Sequence, residues 1–94
     1  MENVIFSVKA EKELLASWEW YEEQQAELGD RFIREVQRKI SFVIRNPLHY
    51  PLKGRHREAK IEIFPFIITY AVQANDLFIK ITSVFHTSRH PEQK

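Results

Sequence analysis

The sequence predicts a small α+β domain with the element order β-α-α-β-β-β, in which a helical hairpin packs on one face of a small, mainly antiparallel sheet. Three observations predict it. Apolar residues recur at helical spacing over residues 10–46, strand-like apolar runs fill the last third of the chain, and a short alternating run precedes the helices. Because 94 residues bury only one modest core, we expect a single domain over residues 1–94.

A short strand and a long helix are expected first. Apolar and polar residues alternate over residues 4–8, and a helix is predicted from about Ala10 to Leu28, a segment rich in good helix formers. Trp18 and Tyr21 share the apolar face of this helix, so we expect both in the core. Trp20 lies off that face and is a candidate for contact with a partner.

A second helix completes the predicted hairpin. Gly29 is expected to end the first helix in the left-handed conformation, and Asp30 to cap the second. An apolar stripe from Phe32 to Ile44 marks this helix, and Asn46-Pro47 ends it.

Three strands are predicted after an irregular connection over Leu48 to Gly54. They are Arg57 to Ile63, Phe66 to Val72 and Leu77 to Phe85, with a turn at residues 74–76 between the last two. If the side chains of the last strand alternate between the two faces of the sheet without interruption, His86 shares a face with Lys80, away from the helices.

Composition limits the possible functions. The chain has no cysteine, which excludes disulfides and thiolate metal sites and fits a reducing cytoplasm. Its four histidines lack the spacing of zinc ligands, so we expect no metal and no cofactor. Neither a signal peptide nor a membrane-spanning run is apparent, which predicts a soluble intracellular protein without a membrane partner.

The charges are strongly segregated although the net charge is only +1. Acidic residues dominate residues 11–30, and basic residues dominate residues 31–60. This split predicts either two solvated faces or a basic surface that meets phosphates or an acidic partner. Arg55 and Arg57, in the basic stretch that follows Lys53, are candidate docking residues.

Several short motifs, in this order, resemble the RelE/ParE toxin superfamily. They are Trp20-Tyr21-Glu22-Glu23-Gln24, Leu28-Gly29-Asp30-Arg31-Phe32, Ile44-Arg45-Asn46-Pro47 with Tyr50-Pro51, Phe64-Pro65-Phe66 with Tyr70, and Val84-Phe85-His86 with Arg89 and Pro91. The Leu-Gly-Asp-Arg-Phe turn and the ending are more similar to the ParE, or plasmid-stabilisation, branch than to RelE. The resemblance implies the toxin half of a type II toxin-antitoxin pair, which a small antitoxin neutralises by direct binding.

The ParE resemblance implies a non-enzymatic toxin that inhibits growth by binding DNA gyrase. The residues expected to contact the target or the antitoxin are Trp20, Arg55, Arg57, His86 and Arg89. We expect the antitoxin to cover an apolar groove beside the helical hairpin with a helix or a strand.

A RelE-like alternative is an endoribonuclease that cuts messenger RNA on the ribosome. Its catalytic candidates would be His86, Arg89, Lys60 and Lys80, because proton transfer and phosphate stabilisation need a group that titrates near neutral pH and fixed cations. RelE-type enzymes tend to carry a tyrosine or a further basic residue in the tail, and residues 88–94 contain no tyrosine. A third possibility is a non-toxic binding module derived from the family. Whether the protein is an enzyme stays open at this point.

Overall fold

Two helices pack on one face of a five-stranded sheet in the computed structural model, which describes residues 3–73 and 78–87. The elements are β1 (Val4–Phe6), α1 (Val8–Gln24), α2 (Leu28–Arg45), β2 (Leu52–Lys53), β3 (His56–Lys60), β4 (Phe66–Gln73) and β5 (Phe78–His86). The strand order is β1-β5-β4-β3-β2, with β1 parallel to β5 and the other neighbours antiparallel. The predicted α+β fold and the meander β3-β4-β5 are confirmed.

Helix α1 begins two residues earlier than predicted. Ser7 is its N-cap and accepts a hydrogen bond from the Ala10 N–H at 3.0 Å through Oγ. The Ser7 N–H also donates to the Ile81 carbonyl of β5 at 2.9 Å. One residue therefore ends β1, starts α1 and fixes both against β5.

The turn between the helices differs from the prediction for Gly29 and Asp30. The left-handed residue is Glu27, with φ of 70°, and α2 already begins at Leu28. Gly29 is a buried helical residue, and a Cβ there would lie 2.5 Å from the carbonyl oxygen of Trp18. The glycine is needed for the close approach of the two helices rather than for a left-handed turn.

The segment before β4 is more structured than the sequence suggested. Strands β2 and β3 pair around a turn in which Gly54 has φ of 63°. Strand β3 stops at Lys60, because the chain folds into a corner where the Ile61 N–H donates to the Phe66 carbonyl at 3.0 Å. The predicted turn at residues 74–76 lies outside the described residues.

A β-bulge interrupts the pairing of β4 with β5. Thr69 pairs with Ser83, but the next residue, Tyr70, pairs with Ile81, so Thr82 is an extra residue on β5. The Thr82 Oγ1 hydrogen bonds to the carbonyl of Thr69 at 3.2 Å. Side chains beyond Thr82 consequently point to the opposite face from the one that uninterrupted alternation predicts.

The core lies between the helices and the inner face of the sheet. Four aromatic rings meet there with centroids 4.7 to 6.2 Å apart: Tyr21, Phe32, Phe64 and Phe66. Tyr70 is fully buried at the other end of the core, and its hydroxyl donates to the Pro47 carbonyl at 2.7 Å. Burial raises the pKa of Tyr70 to about 12. The aromatic packing and this hydrogen bond fix the helical hairpin and the loop after α2 against the sheet.

Candidate partner-binding surfaces

Glu22 organises the turn of the helical hairpin. Its Oε1 accepts hydrogen bonds from the N–H groups of Gly29 at 2.8 Å and Asp30 at 3.2 Å, and its Oε2 accepts one from Glu27 at 3.2 Å. These donors are the free N–H groups of the first turn of α2, where a carboxylate is favoured. The indole N–H of Trp18 donates to Asp30 at 2.9 Å and ties the helices together once more.

An open apolar groove of about 280 Å³ lies beside this hairpin. It is lined by Phe6, Glu11, Leu14, Leu15, Trp18 and Ile33. Leu15 is 59% exposed, and a contiguous apolar surface of this kind commonly marks a site of protein contact. Strand β1 forms the neighbouring edge of the sheet, so an added strand could pair there. The groove and the edge together suit a helix or an extended segment of a partner.

The aromatic residues of α1 divide between the core and the surface. Tyr21 lies in the core as predicted, with 8% of its surface exposed. Trp18, which was also predicted in the core, is half-buried and lines the groove instead. That prediction was wrong, because Trp18 lies beside Asp30 at the border of the core and contributes to the groove. Trp20 is 44% exposed, with its ring edge against Tyr21 at a centroid distance of 5.1 Å.

His86 lies on the inner face of the sheet, not on the outer face with Lys80. It pairs with Phe66, and the two rings lie 5.2 Å apart. Lys80 pairs with Ala71, between the core residues Tyr70 and Val72, and so faces outward. The expectation that His86 and Lys80 share a face was wrong, because the bulge at Thr82 reverses the alternation between them.

The remaining nuclease candidates are also separated. Lys60 pairs with Ile67 of β4, and Lys80 pairs with Ala71, four residues further along the same strand and on its other side. That offset is about 13 Å along β4 alone. Arg89 lies outside the described residues. The structure therefore does not gather Lys60, Lys80 and His86 around one point.

Arg55 and Arg57 occupy different environments despite their proximity. The guanidinium of Arg57 donates to the carbonyls of Leu48 at 3.2 Å and Tyr50 at 2.8 Å, and so holds the loop after α2. Arg55 is exposed in the turn between β2 and β3. Contact with Arg55 would displace none of these hydrogen bonds.

The outer face of the sheet carries a polar cleft of about 410 Å³. Its lining includes Lys9, Lys53, His56 and Glu58, together with Thr69 and Ser83. Within residues 3–73 and 78–87, no three histidine, aspartate or glutamate side chains cluster in a way that could hold a metal ion. Neither of the two described helices has the length and apolar character needed to cross a bilayer.

Sequence reasoning missed the role of Glu13. Its Oε1 accepts hydrogen bonds from the Ser83 hydroxyl at 2.8 Å and from the Val84 N–H at 3.0 Å. The strand partner of β5 changes here, since β1 pairs only with residues 79–81. Glu13 therefore caps the part of β5 that β1 leaves open. The spacing of residues in α1 was a signal for this role. Glu13 follows Ala10 by three residues and precedes Ser17 by four, so it lies on the same helix face as these two buried residues.

Comparisons with known proteins agree with this architecture. The chain is similar to the chromosomal ParDE toxin-antitoxin system from P. aeruginosa, with a TM-score of 0.75, 16% identity, and coverage of 89% of this chain and 94% of that one. It is also similar to the intact E. coli RelBE toxin-antitoxin complex, with a TM-score of 0.67, 20% identity, and coverage of 92% and 96%. No curated protein sequence matches significantly.

The sequence profile of a toxin family matches almost the whole chain. Residues 4–91 match the profile described as the ParE toxin of the type II toxin-antitoxin system, parDE. The matched range contains every helix and strand of the described residues. The chain therefore belongs to the ParE toxin family of type II toxin-antitoxin systems.

Proposed function

We propose that this protein is a non-enzymatic cytoplasmic toxin that inhibits growth by binding DNA gyrase and is neutralised by a cognate antitoxin. The match of residues 4–91 to the ParE toxin profile carries the proposal. The separation of Lys60, Lys80 and His86 on the sheet supports binding rather than RNA cleavage. Of the target contacts we propose, Arg55 and Trp20 are exposed, and Arg57 and His86 are partly exposed. Arg89 remains a prediction outside the described residues.

The antitoxin would occupy the apolar groove beside the hairpin. The similar structures from P. aeruginosa and E. coli are both toxin-antitoxin systems, which supports a partner of this kind. An amphipathic helix would bury Leu15 and Trp18, or an extended segment would pair with the edge of β1. Either segment would remove apolar surface from water, and each Å² of apolar surface buried would stabilise the complex by about 25 cal/mol before the costs of binding.

A charge placed in the groove tests this surface. Leu15→Glu should weaken the complex with the protein encoded by the adjacent reading frame by about 100-fold or more, because the carboxylate must be desolvated on binding. Leu48→Glu is a matched control, since Leu48 is 54% exposed, against 59% for Leu15, and lies after α2 away from the groove. The two affinities are measured by calorimetry after co-purification. Equal affinities would refute the placement of the antitoxin in the groove.

Growth and plasmid topology test the proposed action in cells. Expression of the chain alone should arrest growth and shift a reporter plasmid toward the relaxed state, and the antitoxin should reverse both effects. Normal growth would favour the non-toxic binding module. Growth arrest with normal plasmid topology and messenger RNA cut within codons would favour the endoribonuclease, with Lys60, Lys80, His86 and Arg89 as the residues to substitute.

A further inference from the structure

Helix α2 carries a stripe of exposed arginines along the face opposite its core residues. The stripe consists of Arg31, Arg34, Arg38 and Arg45, all of which are exposed. At 3.6 residues per turn these positions fall within about 60° of one another, and they extend about 21 Å along the helix axis. We refer to this set as the arginine stripe.

None of the four arginines of the stripe forms a salt bridge with a carboxylate of the described residues. The one salt bridge among residues 3–73 and 78–87 joins Lys39 to Glu62 at 2.9 Å, and none of the four arginines takes part. Arg31 and Arg34 are three residues apart, and Arg34 and Arg38 are four apart, so like charges repel along the same face. The stripe is therefore a mainly cationic surface, with Glu35 and Glu62 beside Arg38 at its border.

An aromatic side chain sits within the stripe. Phe42 is 37% exposed, and the guanidinium carbons of Arg45 and Arg38 lie 5.4 and 6.0 Å from its ring centroid. The ammonium group of Lys39 lies 5.8 Å from the same centroid. Phe42 therefore presents a ring with cations on several sides.

A cleft of about 250 Å³ opens beside this ring. Its apolar part comprises Phe42, Ile61 and Ile63, of which Ile63 is 53% exposed. Glu35 and Glu62 stand at its border, and the hydrogen bond from Lys39 lowers the pKa of Glu62. The cleft lies away from Ile33 and the groove beside the hairpin, because Ile33 projects from the far side of α2 relative to the stripe.

We propose that the arginine stripe and the Phe42 cleft form a second protein-docking surface, which takes an acidic segment with one apolar anchor residue. Arginine side chains bind carboxylates through two parallel hydrogen bonds, and the apolar part of the cleft can contact the anchor. A nucleic acid fits less well, since the whole chain carries a net charge of only +1. The proposal holds whether or not gyrase is the target.

Synthetic peptides provide a direct test with the full chain. The first probe is a short fluorescein-labelled peptide of Glu and Asp around one central Phe, and the second has Ala in place of that Phe. Fluorescence anisotropy at about 50 mM salt should show tighter binding of the Phe peptide. Arg38→Glu should weaken binding of both peptides about tenfold or more. Phe42→Ala should weaken binding of the Phe peptide and abolish its advantage over the Ala peptide.

Lys12→Glu is the matched control. Lys12 is also an exposed helical cation, and the substitution changes the net charge by the same amount on α1. Its affinity for both peptides should stay within about twofold of the unsubstituted chain. Circular dichroism verifies the fold of each variant, and Arg34→Glu replaces Arg38→Glu if that variant unfolds.

The opposing results are equally definite. No binding, or an equal loss of affinity in Lys12→Glu, would overturn the proposal. Tighter binding of a DNA duplex that Arg38→Glu abolishes would assign the surface to nucleic acid instead. Self-association in sedimentation that the same substitution removes would assign it to a second copy of the chain.

Discussion

Gly29→Ala separates two opposing effects at the turn of the helical hairpin. Alanine stabilises a helix interior by about 1 kcal/mol relative to glycine, so helix propensity alone predicts a more stable protein. The new Cβ, however, would lie 2.5 Å from the carbonyl oxygen of Trp18 and 2.7 Å from Cγ of Glu22. The first of these atoms belongs to the backbone of α1 and cannot rotate away.

The packing term should win. Overpacking of this kind costs about 1 to 3 kcal/mol, and displacement of Glu22 weakens the cap of α2 by about a further 1 kcal/mol. After the gain in propensity, we expect a net loss of about 1 to 3 kcal/mol in the free energy of unfolding. For a domain of this size that corresponds to a fall of roughly 4 to 24 °C in Tm.

Urea unfolding monitored by circular dichroism measures the effect. Gly54→Ala is the control, because a Cβ at Gly54 meets nothing within 4 Å and the cost comes only from φ of +63°. That substitution should cost about 1 kcal/mol. If Gly29→Ala is as stable as the unsubstituted chain or more stable, the close approach of the helices does not require glycine and the explanation is refuted.

Two further predictions concern polar contacts that hold the fold. Glu22→Ala should lower the free energy of unfolding by about 2 kcal/mol, since three backbone N–H groups lose their acceptor. Glu23→Ala, at the exposed neighbouring position, is the control and should change the free energy by less than about 0.5 kcal/mol. Urea titrations measure both variants, and equal effects would contradict the role of Glu22 as a cap. The pKa of Tyr70 is raised from 10.0 to about 12 in the folded protein. The protonated hydroxyl therefore makes its full contribution to folding stability below pH 10, and this contribution is lost as the pH rises from 10 to 12. Tyr70→Phe should lower the free energy of unfolding by about 1 kcal/mol at neutral pH, through loss of the hydrogen bond to the Pro47 carbonyl. In thermal melts the variant should also show a smaller decrease of Tm above pH 10. An unchanged decrease would show that another group causes the loss of stability at alkaline pH.

The sequence predicted the fold through local signals. Helical and strand periodicities, and the stop at Asn46-Pro47, are properties of short segments, so the order of elements and the meander were accessible. The role of Gly29 was not accessible, because a Gly-Asp pair at a helix end suggests a left-handed cap, whereas the distance between α1 and α2 depends on tertiary packing. The parallel pairing of β1 with β5 likewise joins opposite ends of the chain.

The binding surfaces were predicted less completely. The basic half of the chain was evident, but the alignment of four arginines beside Phe42 emerges only once the helix boundaries and the neighbouring corner are known. The position of His86 depended on one inserted residue, Thr82, which reverses every later side chain on β5. A bulge leaves little trace in a sequence, because threonine is also a favoured residue in regular strands.

A gyrase supercoiling assay with purified protein tests the central claim most directly. Relaxed plasmid, gyrase and ATP are incubated with increasing amounts of the chain, with and without its antitoxin. We expect a dose-dependent loss of supercoiling, and the antitoxin should restore the activity of gyrase. The Lys60→Ala variant should inhibit gyrase as strongly as the unsubstituted chain. Full supercoiling at every dose, together with new messenger RNA ends in a translation extract, would contradict the proposal that the chain inhibits gyrase. The case against it would be complete if Lys60→Ala suppressed those RNA ends.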